Sequence, residues 1–384
     1  MPRTSIFPRI QRVLAGIHLR FAGVTQEQTK LARDRLRLGI ANVGFWVLAA
    51  CSGLWWLTRA GGDALDLRAL CVIGITAFAV QAMFDLIGGA WLMPGTRPAL
   101  GDFFRGWFRG ALCHSMVLVV VGLLSHASFR VSSGFTLAVF FATLGLALGR
   151  GIFLRAIGGA SMTEMPWDGG NMLAATASDP AFTGGFVGFG RSARSLWPAR
   201  WMEGFPRAWL AVESRRREWQ ISSGSHDRTF IVLLGWNLLG TSLGTIAFAL
   251  AQRAPADALF GHACWMTLWA FGGLLVLPAL SRSAVFAADR AAADAGLAPA
   301  GWITRFPDVT GEDGNSDAAV QAIFYPIPSA ETRLRALEHA PRGPVLGSLA
   351  RNNLYYSCAT LTLLGRAVHC NVGRPALWVF PPAA

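Results

Sequence analysis

Six long stretches of this sequence carry almost no charge, and they constrain the fold more than any other feature. A helix needs about 20 apolar residues to cross a bilayer, and each stretch is close to that length. They cover residues 39–58, 69–94, 110–129, 131–149, 229–251 and 258–280. Only 15% of the chain is charged, against about a quarter in a typical soluble domain. The sequence therefore predicts an all-α, polytopic membrane protein with about six spans.

The basic residues predict how these helices are oriented. The proposed outer loops hold only four of the 34 lysine and arginine residues, namely Arg59, Arg68, Arg130 and Arg253. Because basic residues near the membrane favour its cytoplasmic side, both termini are expected in the cytoplasm, at a bacterial inner membrane. Topology and contact with anionic lipid then account for the net charge of +12, so nucleic acid is not an expected partner.

The spans divide the chain into five predicted regions. These are an arm (1–38), a four-helix membrane region (39–149), a polar segment (150–228), a membrane hairpin (229–280) and a C-terminal region (281–384). The arm, the polar segment and the C-terminal region are expected in the cytoplasm.

Two shorter stretches carry expectations of their own. Residues 9–21 are expected to form an amphipathic helix on the membrane surface. The stretch 346–368 is ambiguous, because its uncharged part covers only residues 352–365. That length favours a helix buried in the cytoplasmic domain over a seventh span.

Three segments in the second half of the chain carry a family resemblance. Residues 217–221 read Arg-Glu-Trp-Gln-Ile, just before the fifth span. Residues 281–289 read Ser-Arg-Ser-Ala-Val-Phe-Ala-Ala-Asp, directly after the sixth, and residues 325–337 contain Pro-Ser followed by Arg-Leu-Arg-Ala-Leu. In this order the segments resemble the HtpX-like integral-membrane zinc metalloproteases, which include the CaaX-prenyl proteases. The resemblance covers residues 200–340 and implies a cytoplasmic helical domain derived from a membrane zinc protease.

The resemblance also implies which parts of the zinc site are missing. The family's two HExxH histidines and its third ligand correspond to Arg217, Ile221 and Val285. Arginine has no lone pair to donate, and isoleucine and valine carry no ligand atom. Glu218, at the general-base position, and Asp289 are retained. Without zinc, Glu218 has no metal-bound water to activate, so we expect no metal, no cofactor and no catalysis.

Asp85 and His114 are the polar residues singled out inside the predicted membrane region. An acidic residue within a span is costly, which makes it a functional candidate by default. His114 lies four residues into the next predicted span and could pair with Asp85. The alternatives are a purely structural pair, or an ion pair of Asp85 with Arg105 or Arg109.

The function predicted from these residues is binding and not catalysis. A protease that has lost its zinc ligands can keep the surfaces with which it held other proteins. We therefore expect an accessory or scaffold subunit of a membrane complex, with membrane lipids and other integral membrane proteins as partners. Two alternatives stay open, namely an active membrane protease with a non-standard site and a small-solute transporter that uses Asp85.

Overall fold

The structure of the chain is a computed structural model, and most of the chain can be described from it. The described residues are 26–60, 64–93, 99–128, 134–167, 170–251, 253–311, 325–338 and 345–382. The surface helix predicted at residues 9–21 lies outside them. Within them, five helices are long and apolar enough to cross a membrane, and a bent helix pair brings the number to six. The prediction of an all-α, polytopic membrane protein is confirmed.

The first four predicted spans are all present, and the fourth is bent. Helices α1 (Gln26–Arg59), α2 (Leu67–Leu86) and α3 (Leu100–Ser128) each exceed the length that a bilayer requires. Helix α4 (Gly134–Leu148) has 15 residues, about 22 Å of helix, and meets α5 (Arg150–Ala156) at 75°. The hydrocarbon core is about 30 Å thick, so this pair counts as a span only when both helices are taken together.

A small sheet follows α5, and the sequence did not indicate it. Its strands are β1 (Ser161–Trp167), β2 (Gly170–Thr176), β3 (Gly185–Val187) and β4 (Arg194–Pro198). The spatial order is β1-β2-β4-β3, with β2 and β4 parallel and the other two pairs antiparallel. Strands of three to seven residues with glycine and proline among them give little alternation for a sequence pattern to detect.

Two helices lead from the sheet to the last pair of spans. Helices α6 (Ala199–Gly204) and α7 (Arg207–Ser222) follow β4, and Gly224, at φ +69°, makes the turn into α8 (Ser225–Leu250). Helix α9 (Pro255–Asp294) packs against α1, α7 and α8. With 40 residues it runs well past the apolar stretch, so the sixth span and the Ser-Arg segment form one continuous helix.

The C-terminal region folds back into the helix bundle. Helices α10 (Ala300–Thr310) and α11 (Ala330–Ala336) pack on each other, and α11 also contacts α9. Helices α12 (Leu349–Tyr356), α13 (Leu364–Ala367) and α14 (Pro375–Val379) follow, and nearly every residue from 349 to 382 is buried. We call residues 345–382 the C-terminal insert.

Side-chain contacts place this insert between the spans. The Tyr355 hydroxyl donates to the Leu146 carbonyl of α4 at 2.9 Å, and the Thr362 and Thr267 hydroxyls are 3.3 Å apart. The stretch 346–368 therefore forms no straight seventh span. It is buried, as expected, but as the short helices α12 and α13 joined by a 3₁₀ turn, and it packs against α4 and α9. Short helices can lie between spans when protein, and not lipid, surrounds their free backbone groups.

Candidate functional site

Two segments of the resemblance, and the residue just before the third, meet around Asp289 of α9. This carboxylate is fully buried. Arg333 of α11 donates to both of its oxygens at 2.8 Å, and Arg216 Nε of α7 lies 2.8 Å from Oδ1. Arg216 also pairs with Glu213 on its own helix. We call Glu213, Arg216, Arg217, Asp289 and Arg333 the buried charge network, since they join α7, α9 and α11.

Arg217, at the first ligand position of the resembled motif, is fixed by four contacts. Its Nε donates to Glu213 at 2.7 Å, and its two Nη atoms donate to the carbonyls of Leu196 and Thr183, also at 2.7 Å. The guanidinium lies 4.3 Å from the centroid of the Trp197 ring. The side chain therefore ties α7 to the sheet and fills the place of a ligand with a positive charge.

Opposite charges shift the pKa values of Glu213 and Arg216 toward their charged forms in spite of burial. Burial alone would raise the pKa of the Glu213 carboxyl, but Arg216 and Arg217 outweigh it and hold that pKa below its ordinary value. Burial also lowers the pKa of Arg217, against the pull of Glu213, whereas Glu213 and Asp289 together raise the pKa of Arg216. Glu213 is thus held as a carboxylate, because guanidinium groups bond it on both oxygens.

The remaining motif residues face different surroundings. Val285 is 4% exposed and packs in a tryptophan-rich cluster, while Ile221 is half-buried. The Glu218 side chain is 60% exposed and accepts a hydrogen bond from Ser214 Oγ at 2.9 Å. One residue along a helix turns the side chain by about 100°, so Glu218 points away from the face that Arg217 buries.

Zinc does not fit this set of residues. None of the three ligand positions offers a ligand atom. Across the part of the chain that the structure describes, no group of three or more His, Cys, Asp or Glu could hold a metal ion. No catalytic step through Glu218 follows from this geometry. Neither models of protein families nor curated proteins give a match to the chain.

Asp85 lies on α2, where the C-terminal insert crosses it, and is fully buried. Arg366 of the insert forms an ion pair with its carboxylate. Gln81 Nε2 and the Gly373 amide each donate to Oδ1 at 3.0 Å, and Trp107 Nε1 donates to Oδ2 at 3.3 Å. Each oxygen of this carboxylate is therefore bonded to two donors of the protein itself.

His114 lies beside the same insert, but it does not bond to Asp85. Its ring meets Trp378 edge-on with centroids 5.8 Å apart, and Arg366 lies 4.0 Å from the Trp378 ring. The expected pairing of Asp85 with His114, or with a loop arginine, is thus replaced by Arg366. That partner is 281 residues away in sequence, in a region predicted to lie outside the membrane, so no local pattern pointed to it.

Small residues let the insert approach Asp85 so closely. After α2 the chain continues as a π-helical turn, Ile87–Trp91, which contains Gly88 and Gly89. Gly373 of the insert packs on this turn at φ +72°, and a Cβ there would lie 2.1 Å from the Asp85 carbonyl oxygen. A larger residue at 373 would push the insert away from α2.

A pocket lies next to Arg217, and we call it the polar pocket after its charged and amide side chains. Helices α5, α7 and α8, strand β3 and the insert all contribute to it. Its lining side chains include Arg150, Glu213, Arg217, Gln220, His226, Thr229, Ser348, Asn352 and Phe380. The sequence analysis missed this site, since its residues are scattered over 230 positions and only the fold brings them together.

Proposed function

We propose that this chain is a catalytically inactive homologue of the HtpX-like membrane metalloproteases, and that it serves as a binding or accessory subunit of a larger membrane complex. The observation that carries the proposal is the buried charge network. Two of the three short segments that resemble the family pack on each other through Asp289 and Arg333, and Arg216, the residue just before the remaining segment, pairs with the same carboxylate. A chance resemblance of separate surface helices would not require such packing.

The loss of chemistry and the retention of structure both favour a binding role. Arg217 is bonded to the Leu196 carbonyl of β4, to the Thr183 carbonyl of the loop before β3 and to Glu213, so the substitution has become part of the packing between α7 and β4. Val285 has likewise become part of an apolar core. These positions are built into a stable scaffold, as expected for a protein whose task is to hold a partner.

We place the protein in a bacterial inner membrane with both termini in the cytoplasm. The support is the distribution of arginine, which is concentrated in the segments between spans two and three, between spans four and five, and after span six. Under this topology the sheet, α7 and the buried charge network lie on the cytoplasmic side.

The test combines purification with metal analysis. The full chain, tagged and expressed in its own membrane, is purified in mild detergent beside a Glu218→Gln variant as the matched control. We expect both proteins to elute in the same assembly with the same partner, recovered again when the partner carries the tag. Elemental analysis should give well under one zinc per chain, because Arg217, Ile221 and Val285 cannot bind it.

Two results would contradict this proposal. A monodisperse monomer with no co-purifying protein would remove the accessory role. One tightly bound zinc per chain, or a substrate cleavage that Glu218→Gln abolishes, would instead favour an active protease. The transporter alternative has less support, because Asp85 is bonded to Arg366, Gln81 and Gly373 and is not exposed to a channel.

A further inference from the structure

The polar pocket carries more positive than negative charge. Its lining holds two arginines, Arg150 and Arg217, against one glutamate, Glu213. That glutamate is already bonded to Arg216 and Arg217, so it has little charge left to offer a third cation. Both lining arginines are at least 95% buried. A buried guanidinium with incomplete charge compensation favours an anion next to it.

The pocket also contains hydrogen-bond donors that the fold leaves unused. Gln220 is 5% exposed, and its side chain makes no hydrogen bond to any residue the structure describes. Asn352 uses its Oδ1 to accept from Arg150 at 2.9 Å, which leaves its amide nitrogen free among the described contacts. Arg217 uses three of its five N–H groups in its bonds to Glu213 and the two carbonyls. Amide groups that line a pocket without a protein partner are available to bond water or a ligand.

Two helices begin at this pocket. His226 and Thr229 belong to the first turns of α8, a helix of 26 residues, and Ser348 is the N-cap of α12. The N-terminal end of a helix has a partial positive charge, which attracts anions. In α12 the Leu349 and Ala350 amides already bond the Gly347 carbonyl and Ser281 Oγ, so this end contributes its dipole and not these two donors. The Gln220 side chain lines the same pocket, so the helix ends, the arginines and this amide favour the same kind of ligand.

The position of the pocket favours phosphate over other anions. Arg150 directly follows the apolar helix α4, and Thr229 opens the apolar part of α8. The pocket is therefore level with the ends of two spans, where the phosphates of lipid headgroups lie. Arginine binds the oxygens of a phosphate in a forked geometry that suits this group better than it suits halide ions.

We propose that the polar pocket is a binding site for one phosphate group, supplied either by free phosphate or by the headgroup of an anionic lipid. Arg150 and Arg217 provide the charge, and Gln220 and Asn352 provide neutral donors that distinguish a multi-oxygen anion from chloride. The site rests on the pocket residues alone and would stand even without kinship to a protease.

The test uses the full chain in two arms that separate the two sources. In the first, the protein in phosphatidylcholine nanodiscs is titrated with inorganic phosphate at constant ionic strength, and binding is followed by calorimetry. In the second, the protein is mixed with equal amounts of phosphatidylglycerol and phosphatidylcholine, and native mass spectrometry counts the lipids retained. We expect about one phosphate group bound per chain in at least one arm.

The decisive variant is Gln220→Glu, which is nearly isosteric and places a negative charge in the pocket. It should weaken binding about tenfold or more, since a charge-assisted hydrogen bond is worth about 1.5–3 kcal/mol and 1.4 kcal/mol is tenfold in affinity. Ser222→Glu adds the same charge at an exposed position two residues away on α7 and should leave binding unchanged.

A second variant guards against a folding artefact. Gln220→Ala removes the donor without adding charge and should weaken binding by a smaller factor. Binding only of inorganic phosphate assigns the free anion, and selective retention of phosphatidylglycerol assigns the lipid. The proposal is overturned if neither arm shows saturable binding near one to one, or if both Gln220 variants fold and bind as tightly as the wild type.

Discussion

Replacing Asp289 with asparagine tests the buried charge network most directly. The carboxylate is fully buried, with Arg333 at 2.8 Å on both oxygens and Arg216 Nε at 2.8 Å. Asparagine has nearly the same size, so the change removes charge and hardly any packing. It leaves one negative group, Glu213, to balance three buried arginines.

The expected loss of stability follows from this geometry. Removing one partner from a buried ion pair costs about 3–5 kcal/mol, because the remaining charge stays desolvated. At 1.4 kcal/mol per factor of ten, this lowers the folded-to-unfolded ratio roughly 100- to 4,000-fold. Helix α9 offers a matched control in Asp294, whose side chain is 64% exposed and pairs with Arg290 at 2.9 Å. Asp294→Asn should cost only about 0–1 kcal/mol, as exposed pairs do.

The assay is denaturant unfolding of the purified chain in detergent, followed by far-ultraviolet circular dichroism. Combining Asp289→Asn with Arg333→Gln should cost less than the two single changes added together, since the two side chains share one interaction. If Asp289→Asn and Asp294→Asn lose similar amounts, both under 1 kcal/mol, the network does not hold α7, α9 and α11 together. The main support for the proposed kinship would then be lost.

Three further predictions concern topology, pH and the insert. Reporter fusions at Ala254 should read outside the cytoplasm and fusions after Ser283 inside, and the reverse pattern would refute the orientation drawn from arginine. Folding lowers the pKa of Glu213 from its ordinary value of 4.5. The ionised carboxylate therefore stabilises the fold above pH 4.5, and this stabilisation is lost as the pH falls through the lower pKa of the folded state. Glu213→Gln should therefore be less stable than wild type at pH 7, with a gap in unfolding free energy that narrows below about pH 4.5; a gap that is constant with pH would contradict this. Asp85→Asn should leave Arg366 uncompensated and make the insert accessible to limited proteolysis, whereas an unchanged cleavage pattern would show that the ion pair does not anchor it.

The sequence by itself determined the membrane class and the number of spans. Apolar length is a local property, and the described part of each predicted stretch coincides with a helix that is long enough alone or as a bent pair. It also pointed to Arg217, Val285 and Asp289, because short motifs keep their order and spacing along a helix. What it could not supply was their arrangement, in which Asp289 joins two arginines from other helices and Glu218 faces solvent.

Only the tertiary structure decided where the C-terminal insert lies and what Asp85 binds. Residues 352–365 are too few to cross a bilayer, and length was the only signal the sequence offered there. The fold bonds Tyr355, Tyr356 and Thr362 of this segment to three spans, and it brings Arg366 to a carboxylate 281 residues earlier. The polar pocket has the same origin, since Arg150, Gln220 and Asn352 become neighbours only when α5, α7 and the insert pack together. Pairings over such distances depend on the whole bundle, because the free energy that fixes them comes from burial and not from any local pattern.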